Sequence, residues 1–556
     1  MAHIDYIKRL IFFIDGSVMQ KSQKLSASTY AQAQQAKLNP LGYENLSQMF
    51  TRVCQERGGD IAYSCLGKEL SFADIDRLSG NLAAYLLHEC GLKKGDRIAI
   101  QLPNILQYPV VAWGALRAGL VVVNTNPLYT EREILHQFND AGVKAVVVLS
   151  DLLPLTQKIL KQTAIEHVIV TSALDLVAPN TALIEKTEGV TTLTDALKQG
   201  GKRPSVNAEL SMDDIALLQY TGGTTGVAKG AVLTQGNIFS GYRMRRETFK
   251  ELDVENEVVI APMPLYHIYG FATNVISVFL HGGLSVLIPN PRDPGSLVEA
   301  MQQYEATAIV GVNTLFQAMM DHPDFDKIRV DRLVNVVGGG TAMVQEVAQQ
   351  WQLRTGVAMH EGYGLSETAA AFASNMQGRS KVGTVGKAFF NMQVRTITDD
   401  GLVTPQGQAG ELCVRGPQVM QSYWNNPKAT EEVLDKDGWF KTGDVAVIQE
   451  DGFIKIVDRL KDLVLVSGFN VYPTEIENVV YEHADVLECA VIGVPDDKTG
   501  EAVKLFVNSG NPDLTPDDLK AFCRESLTGY KMPKYIEFMG ELPKSNVGKI
   551  LRRSLR

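Results

Sequence analysis

Residues Tyr220 to Gly230 read Tyr-Thr-Gly-Gly-Thr-Thr-Gly-Val-Ala-Lys-Gly. Glycine lets a backbone approach a ligand closely and adopt angles closed to other residues. Successive backbone N–H groups in such a loop form a concave anion site. Thr221, Thr224 and Thr225 add hydroxyl donors, and Lys229 adds a point charge suited to phosphate. The apolar run Ile215 to Leu218 comes first, so the loop is expected to leave a strand end. A phosphate cradle built from Thr221, Gly222, Gly223, Thr224, Thr225, Gly226 and Lys229 is the sharper reading; a flexible surface loop is the plainer one. Ala228 before Lys229 and Gly230 after it break the Gly-Lys-Ser/Thr pattern of the common nucleotide loop, which argues against a kinase or an ordinary ATPase.

Outward from this stretch, apolar β-branched runs recur between helical segments: Arg97–Leu102, Leu120–Val123, Ala145–Leu149, His167–Val170, Val258–Ala261, Ala308–Val312 and Val334–Val337. Continuous runs of this kind are typical of parallel strands covered on both faces, and their alternation with helices implies α/β layers. Phe271 to Leu280 is expected to be a buried helix leading into a strand from Leu284 to Ile288. After about Gly410 the pattern changes. Short strands are expected at Glu411–Arg415, Asp444–Ile448 and Phe453–Val457, with a hairpin turn at Glu450-Asp451-Gly452. Beyond Asp458-Arg459-Leu460-Lys461-Asp462 the chain restarts with strand Leu463–Val466. A helix then begins near Pro473, where Thr474 and Glu477 have the spacing of a capping box. The expected class is therefore α/β. A large N-terminal domain (41–458), with parallel and mixed sheets, helices and a small β region, precedes a hinge (459–462) and a small mobile C-terminal α+β domain (463–556). Residues 1–40 form a leader, and no role is assigned to 171–206.

The chain has 556 residues, too many for a single core, with 45% hydrophobic and 21% charged residues, ordinary for a globular protein. A formal net charge of −10 disfavours nucleic acid as a partner. The stretch Tyr530 to Arg556 is locally basic and suits either a solvated end or an anionic ligand. Six scattered cysteines without a Cys-x-x-Cys pair point to a reducing, cytoplasmic setting and to neither disulfides nor a zinc site. No secretory signal or membrane span is expected. The segment Ile7 to Phe13 mixes basic and apolar residues, a pattern compatible with a disordered leader or with peripheral contact at the inner membrane.

The Tyr220–Gly230 stretch resembles the phosphate loop of the adenylate-forming enzymes, the superfamily of acyl-CoA synthetases, amino-acid adenylation domains and luciferases. Six further segments match the same family in the same order. Pro264–Gly270 resembles the segment whose histidine, here His267, lines the acyl pocket; Phe271 stands where some long-chain synthetases carry an aromatic gate. Val337-Gly338-Gly339-Gly340 matches the adenine-binding turn. In Glu361–Thr368, with Gly362 and Gly364 in the nucleotide-binding run, the resemblance implies that Tyr363 stacks on adenine, Glu367 holds Mg²⁺ and Thr368 bonds the α-phosphate; Thr221 is implied beside the metal. In Asp437–Asp444 it implies that Asp444 accepts from the ribose, with Arg459 and Ile456 beside it. Lys461 takes the hinge position, and Ser467, Gly468 and Phe469 fall where the family contacts CoA. In Pro543–Lys549, Lys549 matches the catalytic lysine.

The nearest subfamily is bacterial long-chain fatty-acid–CoA ligase. This resemblance implies a fatty acid, ATP, Mg²⁺ and CoA as substrates and cofactor. It also implies acyl-AMP formation followed by thioester formation, domain alternation between the two steps, and a homodimer. The same adenylation residues serve medium-chain or aryl acid–CoA ligases and ligases that load a carrier protein, so these stay as alternatives.

Overall fold

The computed structural model describes residues 42–43, 45–178, 187–206, 208–221, 228–250, 254–339, 343–545 and 549–556. The expectations for residues 1–40, for Gly222, Gly223, Thr224, Thr225 and Gly226, and for Gly340 lie outside the described residues.

The β-branched runs form the strands of two large sheets. One has eight strands in the order Ser422–Tyr423, Lys229–Thr234, Ile215–Thr221, Val121–Asn124, Arg97–Gln101, Val143–Leu149, His167–Thr171 and Val190–Thr192. The other has nine, with Asn335–Gly338, Ala308–Gly311, Val258–Ala261 and Leu284–Leu287 at its centre. The central pairs in both are parallel and are buried on both faces, as their unbroken apolar runs require. One apolar core joins the two sheets. Its centre is the aromatic group Phe50, Tyr63, Phe72, Trp113 and Phe279, with ring centroids 4.6 to 5.9 Å apart in the contacting pairs.

A four-stranded antiparallel sheet follows, with Gln393–Ile397, Ala409–Arg415, Phe440–Ile448 and Ile454–Arg459 in that order. The expected hairpin is there, with Ile448 opposite Ile454. The last hundred residues fold as a smaller α+β unit, a five-stranded sheet packed on helices Pro473–Tyr481 and Pro516–Arg524. Its buried apolar cluster begins at Val464 and includes nothing from the larger part of the chain.

The loop after Ile215–Thr221 leaves a strand end, as expected, and joins two antiparallel strands, with Lys229 itself pairing with Thr221 in the second. Two local expectations are corrected. Thr474 and Glu477 form no capping box, because the Pro473 helix is capped from Tyr472 without a side-chain bond. Thr474 N–H instead donates to Asp458, and Glu477 serves a buried arginine. The helix expected over Phe271–Leu280 is wound more widely, as a π-helix over Phe271–Val278 after a single turn at Ile268–Gly270.

Candidate active site

One end of the nine-stranded sheet, the small β-sheet and the C-terminal unit meet around Asp444. This carboxylate is 2% exposed and lies at the bulged start of the hairpin that ends in Arg459. Its Oδ1 pairs with Arg459 Nε at 2.9 Å, and its Oδ2 accepts a short hydrogen bond from the Tyr363 hydroxyl. Each oxygen keeps a further lone pair for a donor such as a hydroxyl. Tyr363 is held edge-on by Phe372, with ring centroids 5.2 Å apart. Its ring is deep in the molecule yet partly accessible, as expected of the wall of a cleft.

Lys549 reaches this place from the C-terminal unit. Ser545 N–H donates to Lys549 O at 2.7 Å and Lys549 N–H to Ser545 Oγ at 3.1 Å, which fixes the backbone from which the side chain leaves. Burial, reinforced by the Arg459 and Arg552 charges and opposed by Asp444 and Asp462, pulls the ammonium down to about 8.

Glu367 follows on the strand end Met359–Leu365, in a 3₁₀ turn over Ser366–Thr368. Ala369 and Ala370, the next two residues, take positive φ angles of 49° and 89°, a conformation that non-glycine residues rarely adopt. Glu367 is not a surface carboxylate. It is 9% exposed, and its Oε1 accepts from the Tyr423 hydroxyl at 2.6 Å, while Oε2 takes no hydrogen bond among the described residues. One hard oxygen donor next to the strands Ile215–Thr221 and Lys229–Thr234 fits Mg²⁺, which binds proteins through one or two carboxylates and completes its shell with phosphate oxygens and water. Among the described residues no group of three or more His, Cys, Asp or Glu side chains could hold a metal without such a ligand.

The strand ends on either side of the expected phosphate loop are anchored. Tyr220 donates to Asp140 at 2.5 Å, and its ring covers Gly230, where a Cβ would come within 3.1 Å of it. Lys229 Nζ lies 4.4 Å from the centroid of the Tyr423 ring. Thr221 closes the first strand, half-buried.

His267 caps the turn at Ile268–Gly270, its Nδ1 accepting from Tyr269 N–H at 3.2 Å, which assigns the ring proton to Nε2. Burial pushes its pKa down to about 4, so at neutral pH it is an uncharged donor in a partly accessible position. The Tyr269 ring packs on Gly339, and Met343 lies over Gly338; a Cβ would come within 3.1 and 2.6 Å of these side chains. Gly364 is demanded by backbone packing, since a Cβ there would stand 2.1 Å from Ala370 O. Gly362 is less confined, its nearest neighbour Val337 being at 3.5 Å. Ile456 is half-buried on the strand beside Arg459.

Two expected contacts are not presented to the cleft. Thr368 is fully buried, and its hydroxyl donates to the Leu365 and Ala370 carbonyls at 3.0 and 2.8 Å. Phe271 is fully buried in the main core. Ser467, Gly468 and Phe469 are exposed on a two-residue hairpin turn of the C-terminal unit, with φ angles of 51° and 84° at Ser467 and Gly468. There Phe469 stacks on Tyr530 at 4.9 Å. Lys461 is exposed, and its carbonyl accepts from Arg556.

Three residues of the site carry no sequence signal of their own. Tyr423 sits in a strand of two residues, too short to show a period. Arg552 is one of several tail cations, yet it is largely buried and paired with Glu477, Asp458 and Asp462. Glu361 pairs in register with Gly338; among the described residues its carboxylate accepts from Met343 N–H alone, and burial lifts its carboxyl to about 7.

The sequence pattern of the AMP-binding enzymes matches residues 50–424, and that of the AMP-binding enzyme C-terminal domain matches residues 475–549. A long-chain-fatty-acid–CoA ligase of Salmonella typhimurium is 44% identical over 94% of this chain and 96% of its own. The Bacillus subtilis ligase of the same description is 36% identical over 93% and 95%. A feruloyl-CoA synthase of an Amycolatopsis species is 33% identical over 88% and 94%. Among solved structures, ATP-bound MatB from Rhodopseudomonas palustris superposes with a TM-score of 0.81 at 28% identity, covering 92% of this chain and 98% of that one. With both halves of the pattern matched in order around one cleft, the chain belongs to the AMP-binding enzyme family.

Proposed function

We propose that the protein is an AMP-forming long-chain fatty-acid–CoA ligase. The observation that carries this reading is the meeting of Lys549, from the C-terminal unit, with the Arg459–Asp444–Tyr363 group of the larger part. The close full-length likeness to long-chain-fatty-acid–CoA ligases supports the substrate class. In the first half-reaction a fatty-acid carboxylate oxygen attacks the α-phosphorus of ATP; the bond to the β-phosphate breaks, leaving acyl-AMP and pyrophosphate. Lys229 and the phosphate loop hold the phosphates, Asp444 and Arg459 the ribose, and Tyr363 the adenine, with Gly338 and Gly339 at the turn. Lys549 stabilises the charge that develops between the carboxylate and the α-phosphate. His267, neutral with its proton on Nε2, donates to the acid. Glu367, with Thr221 beside it, would hold Mg²⁺, which would neutralise phosphate charge. No protein nucleophile is required, so positioning and electrostatics carry the acceleration.

In the second half-reaction the CoA thiolate attacks the acyl carbon, the bond to AMP breaks, and AMP leaves. The smaller unit turns about Lys461, which withdraws Lys549 and brings the Ser467–Phe469 turn to the cleft. A division at 459–462 is supported by the separate apolar core that starts at Val464. No described helix is long and apolar enough to cross a membrane; the apolar substrate supports peripheral contact with the membrane surface, and a homodimer suits the family.

Product analysis with purified protein, Mg·ATP and CoA tests the reading across free acids from hexanoate to octadecanoate. AMP, pyrophosphate and acyl-CoA are expected, with the highest rates at the long acids. A preference for medium-chain or aryl acids would shift the substrate class. AMP and pyrophosphate without acyl-CoA would move the acceptor to a carrier protein, and release of ADP would sink the assignment.

A further inference from the structure

Tyr423 touches two functional groups of the site at once. Its strand, Ser422–Tyr423, pairs antiparallel with the strand that begins at Lys229, with Tyr423 opposite Ala231. The segment is tightly held: Gln421 N–H donates to Val232 O at 3.0 Å, Trp424 N–H to Gly230 O at 2.7 Å, and the Trp424 indole to Asp140 O at 3.0 Å. From this frame the Tyr423 hydroxyl donates to Glu367 Oε1 at 2.6 Å, and Met420 N–H donates to Glu367 O at 2.7 Å. Both the side chain and the backbone of Glu367 are thus anchored by one segment. On the ring face, Lys229 Nζ stands 4.4 Å from the centroid, within cation–π range.

We propose that Tyr423 is a positioning residue that joins the carboxylate Glu367 to the phosphate-loop cation Lys229. The phenol holds Oε1, which leaves Oε2 as the oxygen that would be available to a divalent cation. The ring face holds the ammonium near the loop before phosphate arrives. Without the phenol the carboxylate is free to rotate away from the orientation it offers a divalent cation, while the ring face still holds Lys229. The inference rests on the reading of this cleft as a Mg·ATP site.

The test is calorimetric binding of ATP to the full chain without fatty acid or CoA, once with Mg²⁺ and once with chelator. Tyr423→Phe keeps the ring and its volume and removes only the hydroxyl. It is expected to weaken Mg·ATP binding about tenfold, the usual loss for one hydrogen bond to a charged group, and to leave metal-free ATP binding unchanged. Tyr423→Leu removes the ring as well and is expected to weaken metal-free binding too. Glu367→Gln abolishes the gain in affinity that Mg²⁺ brings, and adding Tyr423→Phe to it costs nothing more. Melting curves without nucleotide accompany each variant, and the comparison within the Glu367→Gln background reads the coupling whatever their order. Wild-type Mg·ATP affinity in Tyr423→Phe, or losses that simply add in the double variant, overturns the proposal. Failure of the wild-type chain to bind Mg·ATP at all would overturn the functional reading beneath it.

Discussion

Lys549 keeps its ammonium in surroundings that penalise it. Burial and the Arg459 charge bring its pKa to about 8, from 10.5 for a free side chain. Between these values the folded protein binds fewer protons than the unfolded chain, so this residue makes stability rise with pH across that window. Activity is expected to run the other way, because in the proposed mechanism the charged form is the one that stabilises the adenylation transition state. The kcat/KM of adenylation, read by pyrophosphate exchange, is therefore expected to fall as pH rises through about 8. Lys549→Arg, charged at every working pH, should lose that limb of the profile even if its rate is lower. Lys549→Ala should abolish adenylation and spare thioester formation from supplied acyl-AMP; equal loss of both steps would remove the residue from its role.

At the scale of elements, Arg552 clamps the segment that links the two parts of the chain. Its guanidinium bonds Glu477 at 2.6 Å on the Pro473–Tyr481 helix, and it reaches Asp458 and Asp462, which flank Lys461, at 3.4 and 3.3 Å. Burial raises the carboxyls of Glu477 and Asp458, and the Arg552 charge opposes that rise. Removing the cation strands these acids in a poorly solvated place. Arg552→Met is expected to cost about 3–5 kcal/mol of stability, the range for breaking a buried pair by removing one partner. The loss should appear in denaturant unfolding followed by a probe in the C-terminal unit. A change near zero would mean that water already solvates the cluster.

Across the whole molecule, the cleft draws residues from both parts of the chain, while the apolar cores stay separate on either side of residues 459–462. The proposed rotation about this link would leave both cores intact. Lys461 is exposed, in the single turn Leu460–Asp462. Lys461→Pro restricts φ at the proposed pivot. It is expected to retain adenylation and to lose most of the acyl-AMP to acyl-CoA step in single-turnover assays. Equal effects on both half-reactions would argue against a turn at this residue.

What the amino-acid sequence determined by itself is local or periodic. Continuous β-branched runs marked the parallel strands because both faces of such strands are buried, and Glu450-Asp451-Gly452 marked a hairpin because turn chemistry is local. The motifs around Glu367, Asp444 and Lys549 were legible because each clusters several unusual residues in a short span. Only the tertiary structure decided which groups meet. Tyr423 and Glu367 are 56 positions apart, and Arg552 and Glu477 are 75 apart; such pairs leave no period or spacing in the chain. For the same reason Thr474 and Glu477, whose spacing suits a cap, were taken instead by Asp458 and Arg552, buried charges for which a distant partner outweighs a local bond.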